Sequence, residues 1–168
     1  TTRETPRALV SRSVAVPAIP DVRTYSLASP NGTAEALNER NAATRMASYE
    51  TTDRPHLSFV NGSVQGALST LDRVASVNSY TPSLTYPNNG FALALRAVAG
   101  AMVRGIGTKV YWVQTGGFDT HSNQGNAGGG AYANLMGTVG DGLFAFYSDL
   151  RNQALLNDTL VLQFSEFG

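Results

Sequence analysis

The strongest constraint in this chain is a strand-like run closed by two glycines: Lys109-Val110-Tyr111-Trp112-Val113-Gln114, then Thr115-Gly116-Gly117. β-Branched and aromatic side chains in succession suit a buried, pleated backbone and lose rotamer freedom in a helix. The glycines allow backbone geometry that other residues resist, so the run should stop there. Phe118-Asp119-Thr120-His121-Ser122-Asn123-Gln124 follows, which sets a carboxylate and an imidazole two positions apart. In open α/β sheets ligands gather just past the carboxyl ends of strands. Asp119 and His121 at such a place make half of a metal site. The plainer alternative is that Asp119 caps the next helix and His121 is a solvated loop residue.

A second run has the same character. Asp158-Thr159-Leu160-Val161-Leu162-Gln163-Phe164 leads into Ser165-Glu166-Phe167-Gly168. Between the two runs, Tyr132, Leu135, Val139, Leu143, Phe146 and Leu150 recur at spacings of three and four, which predicts a helix over 131–151 whose stripe is core. The order strand, polar loop, helix, strand, acidic end predicts an α/β fold with a parallel sheet flanked by helices. The strands at 109–114 and 159–164 should be neighbours or near neighbours. A right-handed crossover brings both carboxyl ends to one sheet edge, so Asp119, His121 and Glu166 should meet there.

The rest of the chain prepares this core. Arg7-Ala8-Leu9-Val10 and Ser13-Val14-Ala15-Val16 are candidate short strands, ended by Pro17 and Pro20. Asn31-Gly32-Thr33 marks a turn, and Thr33 can cap a helix running to about Tyr49. Apolar residues from Val60 to Ala75 predict a second helix over 57–77, preceded by His56, which alone carries no ligand signal. Phe91, Leu95, Val98 and Met102 predict a third, ended by Gly105 or Gly107. Gly125-Asn126-Ala127-Gly128-Gly129-Gly130 suggests a flexible connection. It lacks the Gly-Lys-Ser/Thr ending of a phosphate-cradling loop.

At 168 residues one domain is the expectation. The 12 basic and 12 acidic residues balance, which argues against a nucleic-acid surface. No apolar run reaches the length of a membrane span, and no basic-then-apolar signal segment opens the chain. With no cysteine, thiolate metal sites and disulfides are excluded.

The paired motifs Gly116-Gly117-Phe118-Asp119-Thr120-His121-Ser122-Asn123-Gln124 and Asp158 to Gly168 resemble those of the exported bacterial domain-of-unknown-function family fifteen-zero-one. That family is grouped with the alkaline phosphatase and sulfatase superfamily. The resemblance is strongest over 84–168, from Leu84-Thr85-Tyr86-Pro87 onward, and weak over the first 80 residues. It implies an alkaline phosphatase-like α/β core over 84–168 with an irregular and helical lead-in over 1–80. It also implies an exported, periplasmic location. In the family the chain continues past this point with an Arg and a later Asp-His pair, and an earlier strand ends in a Gly-Gly-Asn-Asp-like motif. The chain is therefore expected to be one partial domain, the middle of a larger protein, with the remainder of that protein as its partner.

The function implied is a metal-dependent hydrolase of phosphate or sulfate esters. Asp119, His121 and Glu166 would bind a divalent metal (Zn, Mn, Mg or Ca), with Ser165 and Thr120 as supporting hydrogen-bond donors. No position matches a nucleophile motif, so no catalytic residue is assigned. The family pattern also departs here: where alkaline phosphatases place a metal-binding Asp-His pair, this chain has Glu166 and Phe167, and Phe167 cannot ligate. The alternative is a non-catalytic exported binding or structural protein that keeps the fold with a degraded site.

Overall fold

The computed structural model of the chain describes Val10 and residues 22–122, 124–126 and 128–165. Among the described residues four α-helices dominate: α1 (Thr33–Ala47), α2 (Pro55–Asn78), α3 (Gly90–Val103) and α4 (Ala131–Asn152). α2, α3 and α4 lie where the apolar spacing predicts helices, and α1 where the turn signal does; the N-cap of α1 is Gly32, without a side-chain cap bond, and not Thr33 as expected. The chain divides into two compact units, Thr1–Tyr80 and Thr81–Gly168.

In the first unit α1 and α2 form a helical hairpin. Pro55 opens α2, where its missing N–H costs nothing and its fixed φ suits the first turn. Two side chains of α2 satisfy carbonyls left over at the end of α1: Gln65 Nε2 donates to Ala47 O at 2.7 Å and Asn61 Nδ2 to Tyr49 O at 3.3 Å. Arg40 bridges α1 to Asp72 at 2.6 Å, but both groups meet water, so the pair adds little. A short 3-10 turn, Val22–Thr24, is tied to the end of α2 by Asn78 Nδ2 donating to Val22 O at 3.1 Å.

The second unit is built on α3 packed against α4. Asn89 caps α3, its side-chain oxygen accepting from Ala92 N at 2.9 Å. The buried side chains of the pair are Ala92, Leu95 and Ala99 on α3, and Val139, Ala145, Phe146 and Leu150 on α4. Small residues let the helices approach closely. A β-carbon at Gly142 would lie 2.9 Å from the ring of Phe91 and 3.6 Å from Ala92 Cα.

The expected parallel sheet is overturned. Among the described residues no strand forms, and the lone β-bridge, Asn126 to Gly129, closes a turn. Residues 109–114 and 159–164 are irregular, and no backbone ladder joins them. Strand propensity measures how well side chains suit a half-buried pleated surface, and it needs flanking strands to act on. Here Leu160 is 92% exposed and Leu162 78% exposed, so the apolar face has no layer to bury it. One contact does join the two runs: the rings of Trp112 and Phe164 meet edge-on, with centroids 5.2 Å apart. The alkaline phosphatase-like fold expected over 84–168 falls with the sheet. The short strands expected at 7–10 and 13–16 lie outside the described residues apart from Val10, which is exposed.

Candidate metal site

The loop after Gln114 is placed by α4. Gly117 has φ +91°, a left-handed conformation costly for any residue with a β-carbon. A β-carbon added there would lie 3.4 Å from Leu135 of α4. The next residue, Phe118, meets Tyr132 of α4 edge-on at 6.2 Å. The Phe118–Tyr132 contact seats the start of the polar stretch on the first turn of α4.

Asp119 and His121 come together. His121 Nε2 lies 2.8 Å from Asp119 Oδ1, with their side chains 89% and 63% exposed. Thr120, between them, is half-buried. The carboxyl group and the imidazole thus face solvent from a loop whose root is anchored. The alternative in which Asp119 caps the following helix does not hold: the N-cap of α4 is Gly130, with no side-chain cap bond.

No sheet edge collects these residues with Glu166, because no sheet is present among the described residues. Glu166 itself lies outside the described residues, as does Phe167. Ser165 is described and exposed. Among the described residues no group of three or more metal-ligating side chains forms.

The glycine-rich stretch is tighter than its composition suggests. Asn126 and Gly129 exchange two backbone hydrogen bonds at 3.0 and 3.1 Å, and Asn126 Oδ1 accepts from Gly128 N at 3.1 Å. Gln124 O accepts from Tyr132 N at 3.2 Å, joining the turn to α4. Gly125 and Gly130 sit back to back with φ +83° and +112°, and a β-carbon on either would come within 2.6 Å of backbone. A shallow cleft opens here, lined by Gln124, Asn126, Tyr132 and Met136 among others.

Sequence reasoning missed Asp149. It lies in α4 with no exposed surface. Its Oδ1 accepts from Ser83 N at 3.1 Å and Ser83 Oγ at 2.9 Å, and its Oδ2 from Tyr86 Oη at 2.9 Å. Asn152 Nδ2 completes the network by donating to Ser83 Oγ at 3.0 Å. The available signal was an acidic residue next to Leu150 on the buried stripe of α4, opposite a loop rich in hydroxyl groups.

The second unit is thus a helix pair with a polar loop that offers a carboxylate and an imidazole to solvent. The chain belongs to the family described as "Protein of unknown function (DUF1501)", whose model matches residues 7–168. No curated protein and no solved structure matches it.

Proposed function

We propose that this chain contributes to a metal-dependent hydrolase of phosphate or sulfate esters, acting outside the cytoplasm. The observation that carries the proposal is the Asp119–His121 contact. Two donor atoms held by one divalent ion at bond lengths near 2.1 Å sit roughly 3.0–3.4 Å apart, for octahedral to tetrahedral angles. The 2.8 Å separation of Asp119 Oδ1 and His121 Nε2 is close to that span, so a small opening of the pair would admit an ion. Glu166, near the end of the second family motif, is the third proposed ligand. A nitrogen donor beside carboxylates favours Zn or Mn over Mg or Ca.

Bound there, such an ion would polarise an ester oxygen and acidify a water molecule. The chain's own residues have simpler tasks. Asp119 brings negative charge to the ion, and His121 ligates only in its neutral form. Phe118, seated against Tyr132, holds the loop's origin so that less order is lost on binding.

A second reading, a non-catalytic exported protein with a degraded site, rests on Phe167 standing where the superfamily pattern has a ligating histidine. The two part in one experiment. Zn²⁺ and Mn²⁺ are titrated calorimetrically into wild type, Asp119→Ala and His121→Ala, and cleavage of aryl phosphate and aryl sulfate is followed in the 168-residue chain and in the full-length protein. Metal binding and full-length turnover that both fall in the two variants support the hydrolase, and the 168-residue chain alone is expected to show no turnover. Metal binding without full-length turnover supports the second reading. Turnover indifferent to Asp119→Ala removes this loop from the mechanism.

A further inference from the structure

We propose that Asn31 is a site of spontaneous deamidation, and that the fold protects the two other Asn-Gly pairs of the chain from the same reaction. The sequence holds three such pairs: Asn31-Gly32, Asn61-Gly62 and Asn89-Gly90. Glycine after asparagine leaves the following backbone nitrogen unshielded, so by sequence all three are alike. The structure separates them.

Asn61 sits within α2, where helical backbone geometry keeps the nitrogen of Gly62 away from the asparagine side chain. Its amide is buried and donates to Tyr49 O. Asn89 is the N-cap of α3, held at φ −138° and ψ 162° with its side-chain oxygen bonded to Ala92 N. Reaction at either position requires breaking a hydrogen bond that the fold uses. Asn31 differs on each count. It is exposed, in a turn before α1, and it is held through its backbone N–H, which donates to Ser29 Oγ at 3.2 Å. Among the described residues the N–H of Gly32 is held by one long bond, 3.4 Å to Ser29 O. Gly32 has φ +105°, with open space where a β-carbon would stand.

The chemistry needs no partner beyond water. The backbone nitrogen of Gly32 attacks Cγ of Asn31 and loses its proton. The new N–Cγ bond closes a five-membered imide as the Cγ–Nδ2 bond breaks and ammonia departs. Water then opens the imide at either carbonyl, giving aspartate or isoaspartate. The net change is amide plus water to carboxylate plus ammonium. Because 12 basic and 12 acidic residues balance, the formal net charge moves from 0 to −1. The new carboxylate lies next to the start of α1, whose N-cap, Gly32, offers no side-chain cap of its own. Negative charge is favoured there.

The test is to incubate the native protein in mildly alkaline buffer and follow each of the three positions by peptide mass mapping and isoaspartate labelling. A parallel sample in denaturant removes the fold's influence. In the native sample Asn31 should convert at least about tenfold faster than Asn61 and Asn89, which react only after local opening. In denaturant the three rates should converge. Asn31→Gln should abolish the early acidic shift in isoelectric focusing. Conversion of Asn61 or Asn89 as fast as Asn31 in the native protein would overturn the proposal, as would an Asn31 that stays intact natively and reacts in denaturant.

Discussion

Tyr86 Oη donates a 2.9 Å hydrogen bond to Oδ2 of the fully buried Asp149, across 63 positions of sequence. This bond, with the two from Ser83 to Oδ1, clamps the loop before α3 onto α4. Hydrogen bonds to a charged acceptor in low dielectric are among the stronger ones, and an abandoned partner is costly. Tyr86→Phe is therefore expected to cost about 1.5–3 kcal/mol, and Asp149→Ala at least as much because it strands three donors. Urea unfolding followed by circular dichroism measures both. A loss below about 0.5 kcal/mol for each would show that the network is incidental.

The glycines of α4 are not equivalent. Gly137 and Gly140 are exposed, with open space where a β-carbon would stand, so alanine there should stabilise the helix by roughly 0.5–1 kcal/mol each. At Gly142 the same gain meets the ring of Phe91 at 2.9 Å, and the two effects oppose each other. Gly142→Leu has no such balance and should cost about 1–3 kcal/mol through overpacking of the α3–α4 interface. Thermal melts should place the alanine variants at 137 and 140 highest, the alanine variant at 142 below them, and the leucine variant last.

Gly125 and Gly130 should tolerate no side chain. Each has a positive φ, and a β-carbon on either would strike the backbone of the facing arm of the turn. Gly125→Ala is expected to cost about 1–3 kcal/mol and to loosen the first turn of α4, which is tied to the turn through Tyr132 N and Gln124 O. Hydrogen exchange at Tyr132 and its neighbours is the direct measure. Unchanged protection would show that the turn does not anchor the helix.

Tyr111 links the irregular 109–114 segment to alkaline stability. Burial pushes its phenol above the ordinary value of 10.0, against a smaller downward pull from the Thr108 hydrogen bond. A raised folded-state value means that the fold favours the protonated phenol. The resulting stability is fully present below about pH 10 and is lost as pH rises through the raised value. Comparing alkaline melts of wild type and Tyr111→Phe checks this: the phenylalanine variant should lose less stability above about pH 10. Equal losses would exclude this residue as a source of the alkaline transition.

The four helices were legible in the sequence because helical periodicity is local. Of the predicted stripe on α4, Val139, Phe146 and Leu150 are buried, Leu135 and Leu143 are half-buried, and Tyr132 at its start is exposed. The pairing of Asp119 with His121 was legible for a similar reason, since two residues so near in a glycine-started loop are bound to lie close. Pairing between segments was not legible. Val110 to Val113 and Leu160 to Phe164 have the composition of strands, but a strand exists only when another backbone supplies its hydrogen bonds, and among the described residues none does. Tertiary structure alone decided that Asp149, polar in sequence, would be fully buried beside Leu150, because its donors arrive from Ser83 and Tyr86 more than sixty positions away. It also decided that a glycine-rich stretch would be a closed turn rather than a free connection, since Gly125 and Gly130 meet at distances only glycine allows. Composition and spacing report what each residue prefers; which partner satisfies that preference depends on contacts distant in the chain.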